Sequence, residues 1–184
     1  MAWGLTQGPR VQIEEVVAMQ KVTPFLWFDH EAEEAANHYV EVFRERPGGS
    51  VGATQVLDLS RYGEAGPGAP GSVMTVSFVL EGQEFTALNG GPGFPFTEAV
   101  SFVVHCESQE EVDHFWGCLT SDGGEESMCG WLKDRYGLSW QIVPNALFDL
   151  IGDRDPERAQ RATQAMLQMR KIDIAELRRA ADTA

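Results

Sequence analysis

Four histidines and three cysteines are the side chains of this protein best able to hold a metal or act as nucleophiles. A catalytic metal needs several such donors on one face, and a nucleophilic thiol needs a local base. His30 and His38 flank one helical stretch, His105 ends a strand-like run, and His114 sits among glutamates and aromatics in a second helical stretch. No two histidines stand at an H-x-x-x-H spacing, since His30 and His38 lie eight residues apart and His105 and His114 nine. Cys106, Cys118 and Cys129 show no C-x-x-C spacing. The run from Gly48 to Gly52 spells G-x-S-x-G, but it leads from a helical stretch into a strand, so no serine nucleophile sits in a strand-to-helix elbow. Cys129, beside Gly130 and Trp131, reads as a buried structural thiol. Asp134 and Arg135 read as a solvated, charged turn. No resident metal and no cofactor are expected, and the catalytic residues stay unassigned.

The remaining chemistry is neutral. In "WLKDRYGLSWQIVP" (131–144), Asp134 to Gly137 predicts a turn and Leu138 to Val143 the returning strand. Strand alternation then sends Leu138, Trp140 and Ile142 to one face, and Ser139, Gln141 and Val143 to the other. An amide amid apolar residues implies that its face looks into something polar. Trp27, Phe102 and Trp131 offer aromatic walls, while Asn89, Ser101 and Gln141 offer a few polar groups. Together these six are the candidate pocket for a small-molecule ligand.

Elements must carry these residues. "KVTPFLWF" (21–28) predicts a strand, with Asp29 as helix N-cap. Ala32, Ala35, Ala36, Tyr39, Val40 and Phe43 then fall on one helical face, behind a first turn rich in glutamate. Strands follow at about 51–59, 72–80 and 83–89. In "SVMTVSFVL" the Met74, Val76, Phe78 and Leu80 face is apolar and Thr75 and Ser77 are opposite, as in a sheet covered on one side only. The pattern restarts at "AVSFVVHC" (99–106). Ser108 to Glu111 forms a capping box, with Val112, Phe115, Trp116 and Leu119 as the buried stripe. Further strands lie in "GGEESMCGWLKD" and "LSWQIVP". A shift of 77 residues lays Glu33–Ala35 on Glu110–Val112.

The fold class expected is therefore α+β. Two βαβββ modules, about 21–89 and 99–144, form a cupped mixed sheet within a domain at 19–151. A helical tail at 152–184 follows, with an apolar stripe of Ala162, Met166, Met169 and Ile172 and a capping box opening at Asp173. Residues 1–18 find no place in this repeat. They read as an extension ahead of a start at Met19, either disordered or helical over 11–19.

Composition narrows the partners. A formal charge of −14 argues against nucleic acid and against an anionic membrane surface. No apolar run approaches the roughly 20 residues of a membrane span. The first residues lack the basic start and apolar core of a signal peptide, so reduced thiols and a cytoplasmic location are expected.

These segments resemble the vicinal-oxygen-chelate superfamily, the glyoxalase/bleomycin-resistance/dioxygenase fold, and within it the PhnB-like branch often labelled 3-demethylubiquinone-9 3-methyltransferase. The resemblance is carried by "TPFLWFDHEAEEAANHYVEVF", "RYGEAGPGAPGSVMTVSFVLEGQEFTALNGGP", "EAVSFVVHCESQEEVDHFW" and "CGWLKDRYGLSWQIVP", with "QAMLQMRKIDIAEL" similar to that branch's tail. It implies paired βαβββ modules, an open cup and a homodimer.

Metal-using members place ligands in the first and last strand of each module. Here those positions fall near Thr23 or Pro24, Ala87 or Asn89, Val100 or Ser101, and on Gln141. Only Gln141 is a credible ligand type, and one neutral amide does not hold a divalent ion against water. The leading expectation is a metal-independent small-molecule-binding protein. The alternatives are a metal-dependent lyase, isomerase or oxygenase of the same fold, a regulatory dimer with a vestigial pocket, and a methyltransferase as the label suggests. For the last, "NGGPGFPF" (89–96) leads into a strand and not into the helix that a nucleotide-binding glycine turn requires.

Overall fold

The computed structural model describes residues 20–49 and 54–183. The expected start at Met19, the extension before it and the first residues of the strand near 51 lie outside these. The chain runs β1 (Phe25–Phe28), α1 (Ala32–Arg44), β2 (Gln55–Arg61), β3 (Val73–Leu80) and β4 (Gln83–Asn89). It then repeats the order as β5 (Ser101–Cys106), α2 (Gln109–Thr120), β6 (Glu125–Glu126), β7 (Trp131–Lys133) and β8 (Ser139–Pro144). Each module forms its own four-stranded sheet, ordered β1-β4-β3-β2 and β5-β8-β7-β6. In both, the first strand lies parallel to the last, and the other pairs are antiparallel. This is the α+β, paired βαβββ architecture expected from the repeat.

The apolar stripes meet in one core. Ala32, Ala35, Ala36, Tyr39, Val40 and Phe43 of α1 are buried, as are Val76, Phe78 and Leu80 of β3. Tyr39 contacts Phe78 of its own sheet and Trp140 of the other, and Phe43 contacts Phe115 of α2. The two modules thus share the helix-covered sides of their sheets, while on the opposite side of the second sheet Ser139 and Val143 are buried as well.

Two helix starts differ in how they are finished. At α2 the predicted cap is present, with the Ser108 hydroxyl accepting the Glu111 N–H at 3.2 Å. The Glu111 carboxylate reaches back to the Glu107 N–H, one residue before the cap. At α1 the N-cap is Glu31 and not Asp29, and it makes no side-chain cap bond. Asn89, at the end of β4, accepts the Ala32 N–H at 2.8 Å instead. Because β1 and β4 are parallel neighbours, the end of β4 lies beside the start of α1, and a residue distant in sequence supplies the cap.

The 77-residue repeat holds for the helices, whose caps are Glu31 and Ser108. It does not hold for the strands. β1 ends at Phe28 and β5 at Cys106, so one fewer residue joins strand to helix in the second module, and the strand offset is 78. A one-residue slip reverses which side chains face the helix.

The tail folds as α3 (Asn145–Ile151), α4 (Pro156–Met166) and α5 (Ile174–Asp182). Asp155 and Asp173 cap the last two. The expected stripe is not one helix face. The helix stops at Met166, while Met169 and Ile172 lie in a turn that packs with Val143, Leu147 and Leu177 in a second small core. This turn is fastened to the second sheet. Cys129 and Gly130 donate their N–H groups to Met169 and Arg170 carbonyls, both at 2.7 Å, and the Gln109 amide brackets Ile172 and Ile174. Gly130 has φ +84°, and a Cβ there would stand 2.8 Å from the Ile142 carbonyl. Only glycine permits that approach to β8.

Candidate functional site

Alternation along β5, β7 and β8 builds the face of the second sheet turned away from α2, a face that the tail helices meet at Val143 and His105. Ser101, Val103 and His105 lie there from β5, Ser139, Gln141 and Val143 from β8, and Trp131 and Lys133 from β7. The Gln141 amide donates to the Ser101 hydroxyl at 2.9 Å. Beside this pair, Trp131, Ser139 and the Lys133–Glu98 ion pair line a hollow of about 160 Å³. The Ser139 hydroxyl is buried there and has no hydrogen-bond partner among the described residues. A buried hydroxyl left unpaired is destabilising, and a water or a polar ligand group would relieve it. Ser139 shares the parity of Gln141 in "LSWQIVP", so alternation alone could have added it to the candidate pocket.

The other candidates lie elsewhere. Phe102 is on the helix side of β5, where it edges a cleft of about 490 Å³ between the modules floored by Phe43, Phe85, Phe115 and Trp140. Trp27 lies on the open face of the first sheet and donates its indole N–H to the Gly91 carbonyl at 2.7 Å. Asn89 caps α1 with its oxygen and donates its amide to the Val73 carbonyl at 3.1 Å. Ser101, Trp131 and Gln141 therefore share one face, while Trp27, Phe102 and Asn89 do not join it.

The Asp134 turn departs from the expected solvated pair. Asp134 is 2% exposed. Its carboxylate accepts from Tyr39 Oη at 2.7 Å, Trp140 Nε1 at 2.8 Å, and the Tyr136 and Leu138 N–H groups at 2.9 and 3.0 Å. Burial raises its pKa above the ordinary aspartate value although all four bonds favour the anion. Arg135 pairs at the surface with Glu34 and Asp122. Asp134 thus bolts α1 of the first module to the last hairpin of the second.

His114, Cys118 and Cys106 pack within the structure. His114 Nε2 lies 2.8 Å from the Val42 carbonyl, which can only accept, so that nitrogen carries the proton. Nδ1 is then the acceptor facing Cys118 Sγ at 3.9 Å. Burial, reinforced by Glu45 and Glu41, raises the Cys118 thiol pKa, and burial pushes Cys106 up to about 12. These thiols stay protonated at neutral pH. Among the described residues no three His, Cys, Asp or Glu side chains group so as to hold a metal.

The strand offset sharpens the superfamily metal positions. Leu26 pairs with Ala87 and Val104 with Ile142, so Ala87 corresponds to Ile142 and the first-module counterpart of Gln141 is Thr86. Ala87 is fully buried against the helix and Asn89 is a cap, so neither stands at the ligand position. The four positions become Thr23, Thr86, Ser101 and Gln141, a neutral set that does not fit a divalent cation.

Comparison with known proteins agrees with this architecture. The sequence pattern of the 3-demethylubiquinone-9 3-methyltransferase family matches residues 20–143. A PhnB protein from Bacillus cereus is 38% identical, with a TM-score of 0.58 over 68% of this chain and 99% of its own. Protein PA1353 from Pseudomonas aeruginosa shares the fold at 19% identity, TM-score 0.52, over 68% of this chain and 97% of its own. No curated protein matches. The match ends one residue before β8 does, so α3, α4 and α5 lie beyond it. With its paired βαβββ modules of vicinal-oxygen-chelate type, the chain belongs to the PhnB-like 3-demethylubiquinone-9 3-methyltransferase family.

Proposed function

We propose that this protein binds a small organic molecule on the face of its second sheet turned away from α2, without a resident catalytic metal, and does so as a homodimer. The observation that carries the reading is the neutral Ser101–Gln141 pair, set where metal-using relatives place ligands and flanked by the unpartnered Ser139 hydroxyl. Trp131 supplies the aromatic wall, and Ser139 and Gln141 the orienting polar contacts. Exposed Val100, Val103, Phe148 and Ile151 favour a second copy as the cover of this region. The family description names methyl transfer. The Gly-rich connector after β4 leads to β5 without an intervening helix, which favours binding over nucleotide-cofactor chemistry.

Native mass spectrometry with elemental analysis and a thermal-shift screen tests this. A dimer with substoichiometric metal is expected, and one Zn, Ni, Fe or Mn per subunit overturns the metal-free reading. A ligand at a hundred times its Kd stabilises by about 2.7 kcal/mol. Gln141→Ala and Ser139→Ala should each weaken such a ligand by about five- to tenfold, the loss of one hydrogen bond. Full affinity in both variants places the ligand elsewhere.

A further inference from the structure

A groove of about 310 Å³ lies between β1, the connector after β4 and the β7–β8 turn, apart from the Ser101–Gln141 face. Its walls are aromatic. The Trp27 and Phe94 rings meet at 88° with centroids 5.0 Å apart. Phe96 and Tyr136 each stand edge-on to Phe28, at 5.2 Å and 74° and at 6.0 Å and 85°. Its charged residues are Asp29 and Glu31, and no Lys or Arg lines it.

The walls are fastened rather than loosely placed. Gly90 and Gly91 donate their N–H groups to the Phe28 and Asp29 carbonyls, while the Trp27 indole N–H binds the Gly91 carbonyl. A Cβ on Gly90 would stand 2.2 Å from the indole, so only glycine lets the backbone lie against that ring. Phe94, by contrast, is 67% exposed, an aromatic side chain at the rim whose ring stands perpendicular to that of Trp27.

Orthogonal π-faces around carboxylates suit one kind of guest. Ring faces attract cations through their quadrupole, and several faces at right angles reach an alkylammonium group together. Tyr136 already displays this property, because the Arg135 guanidinium sits 5.0 Å from its ring centre. That guanidinium is held outside the lining by Glu34 and Asp122. The basic group nearest the two carboxylates is His30, 3.4 Å from Asp29 and 3.7 Å from Glu31, with its side chain 78% exposed. The net charge of −14 adds a field of the same sign.

We infer that this groove binds a small organic cation bearing a quaternary or alkylated ammonium group, with Trp27, Phe94, Phe96 and Tyr136 as its cage and Asp29 and Glu31 as its counter-charges. The inference stands independently of the ligand on the second sheet. It goes beyond size and polarity to the sign of the guest's charge, which a neutral isostere isolates.

Choline and 3,3-dimethylbutan-1-ol, which replaces the nitrogen by carbon, are titrated into the full-length protein. The readout is the Trp27 indole N–H resonance, assigned by its loss in Trp27→Phe. Choline is expected to shift it saturably with a millimolar-class Kd, and the neutral isostere to bind at least about fivefold more weakly. Phe94→Ala and Glu31→Gln should each weaken choline by about two- to fivefold, as removal of one exposed cation–π face or one exposed charge implies. Unchanged thermal unfolding of Phe94→Ala confirms that the fold is intact. Equal affinity for the isostere, no saturable shift by choline up to about 50 mM, or full affinity in both variants overturns the inference.

Discussion

Asp134 is the residue on which most of the inter-module chemistry converges. One oxygen accepts two backbone N–H groups of its own turn, and the other accepts Tyr39 Oη and Trp140 Nε1. Asparagine could keep the backbone bonds but would turn an N–H₂ toward the Trp140 donor. Asp134→Asn should therefore destabilise by about 1–3 kcal/mol, the range for one buried polar group left unsatisfied, read by chemical denaturation. The pH dependence has a definite sign. The folded pKa of Asp134 is raised by burial, so the stability it contributes is full below the unfolded value of about 3.9 and falls as pH rises through the folded value. The margin of wild type over Asp134→Asn should narrow across that window and then level off. A margin that widens with pH contradicts a raised pKa. The sequence hides this role because a turn aspartate looks solvated until Tyr39 is known to lie opposite. Asn89 is hidden in the same way. Its type suggests a pocket, and only the parallel pairing of β1 with β4 reveals a cap.

Among the elements, strands and helices were legible wherever polar and apolar residues alternate at the period of the element. The parity of "SVMTVSFVL" and "LSWQIVP" placed Val76, Phe78, Trp140 and Ile142 inward and Gln141 outward, as found. What local pattern could not carry was the length of a connection. One residue more between β1 and α1 than between β5 and α2 moved the counterpart of Gln141 from the buried Ala87 to Thr86. The tail shows the same limit. Met169 and Ile172 continue a helical period after the helix has ended, because their positions are set by Cys129, Gly130 and Gln109 rather than by α4. Gln109→Ala removes both bonds to the 172–174 segment. It should raise hydrogen exchange in α4 and α5 while leaving β3 and β4 protected, corresponding to about 1–2 kcal/mol of lost docking. Equal acceleration in the first module would show that the tail is not a separate cooperative unit.

At the scale of the molecule, two copies of one motif have become a single core. Tyr39 meets Trp140, Phe43 meets Phe115, and Arg46 bridges Glu81 and Glu111 across the same seam, at 2.7 and 3.1 Å. The described portion through β8 should unfold in one transition, with aromatic circular dichroism and far-ultraviolet signals superposing. Two separated transitions would mean that the modules are independent. No described helix is long and apolar enough to cross a membrane. The repeat made the architecture readable, whereas the proposed sites fall where the copies have diverged: a Ser–Gln pair in the second module, an aromatic corner beside the first.

The cap that Asn89 supplies to α1 also bears on how this chain is born. The first helix leaves the ribosome 57 residues ahead of the side chain that completes its first turn. Until β4 has been made and has laid itself along β1, the Ala32 N–H has only water for a partner. The cap is therefore completed only when the last strand of the module lies along the first.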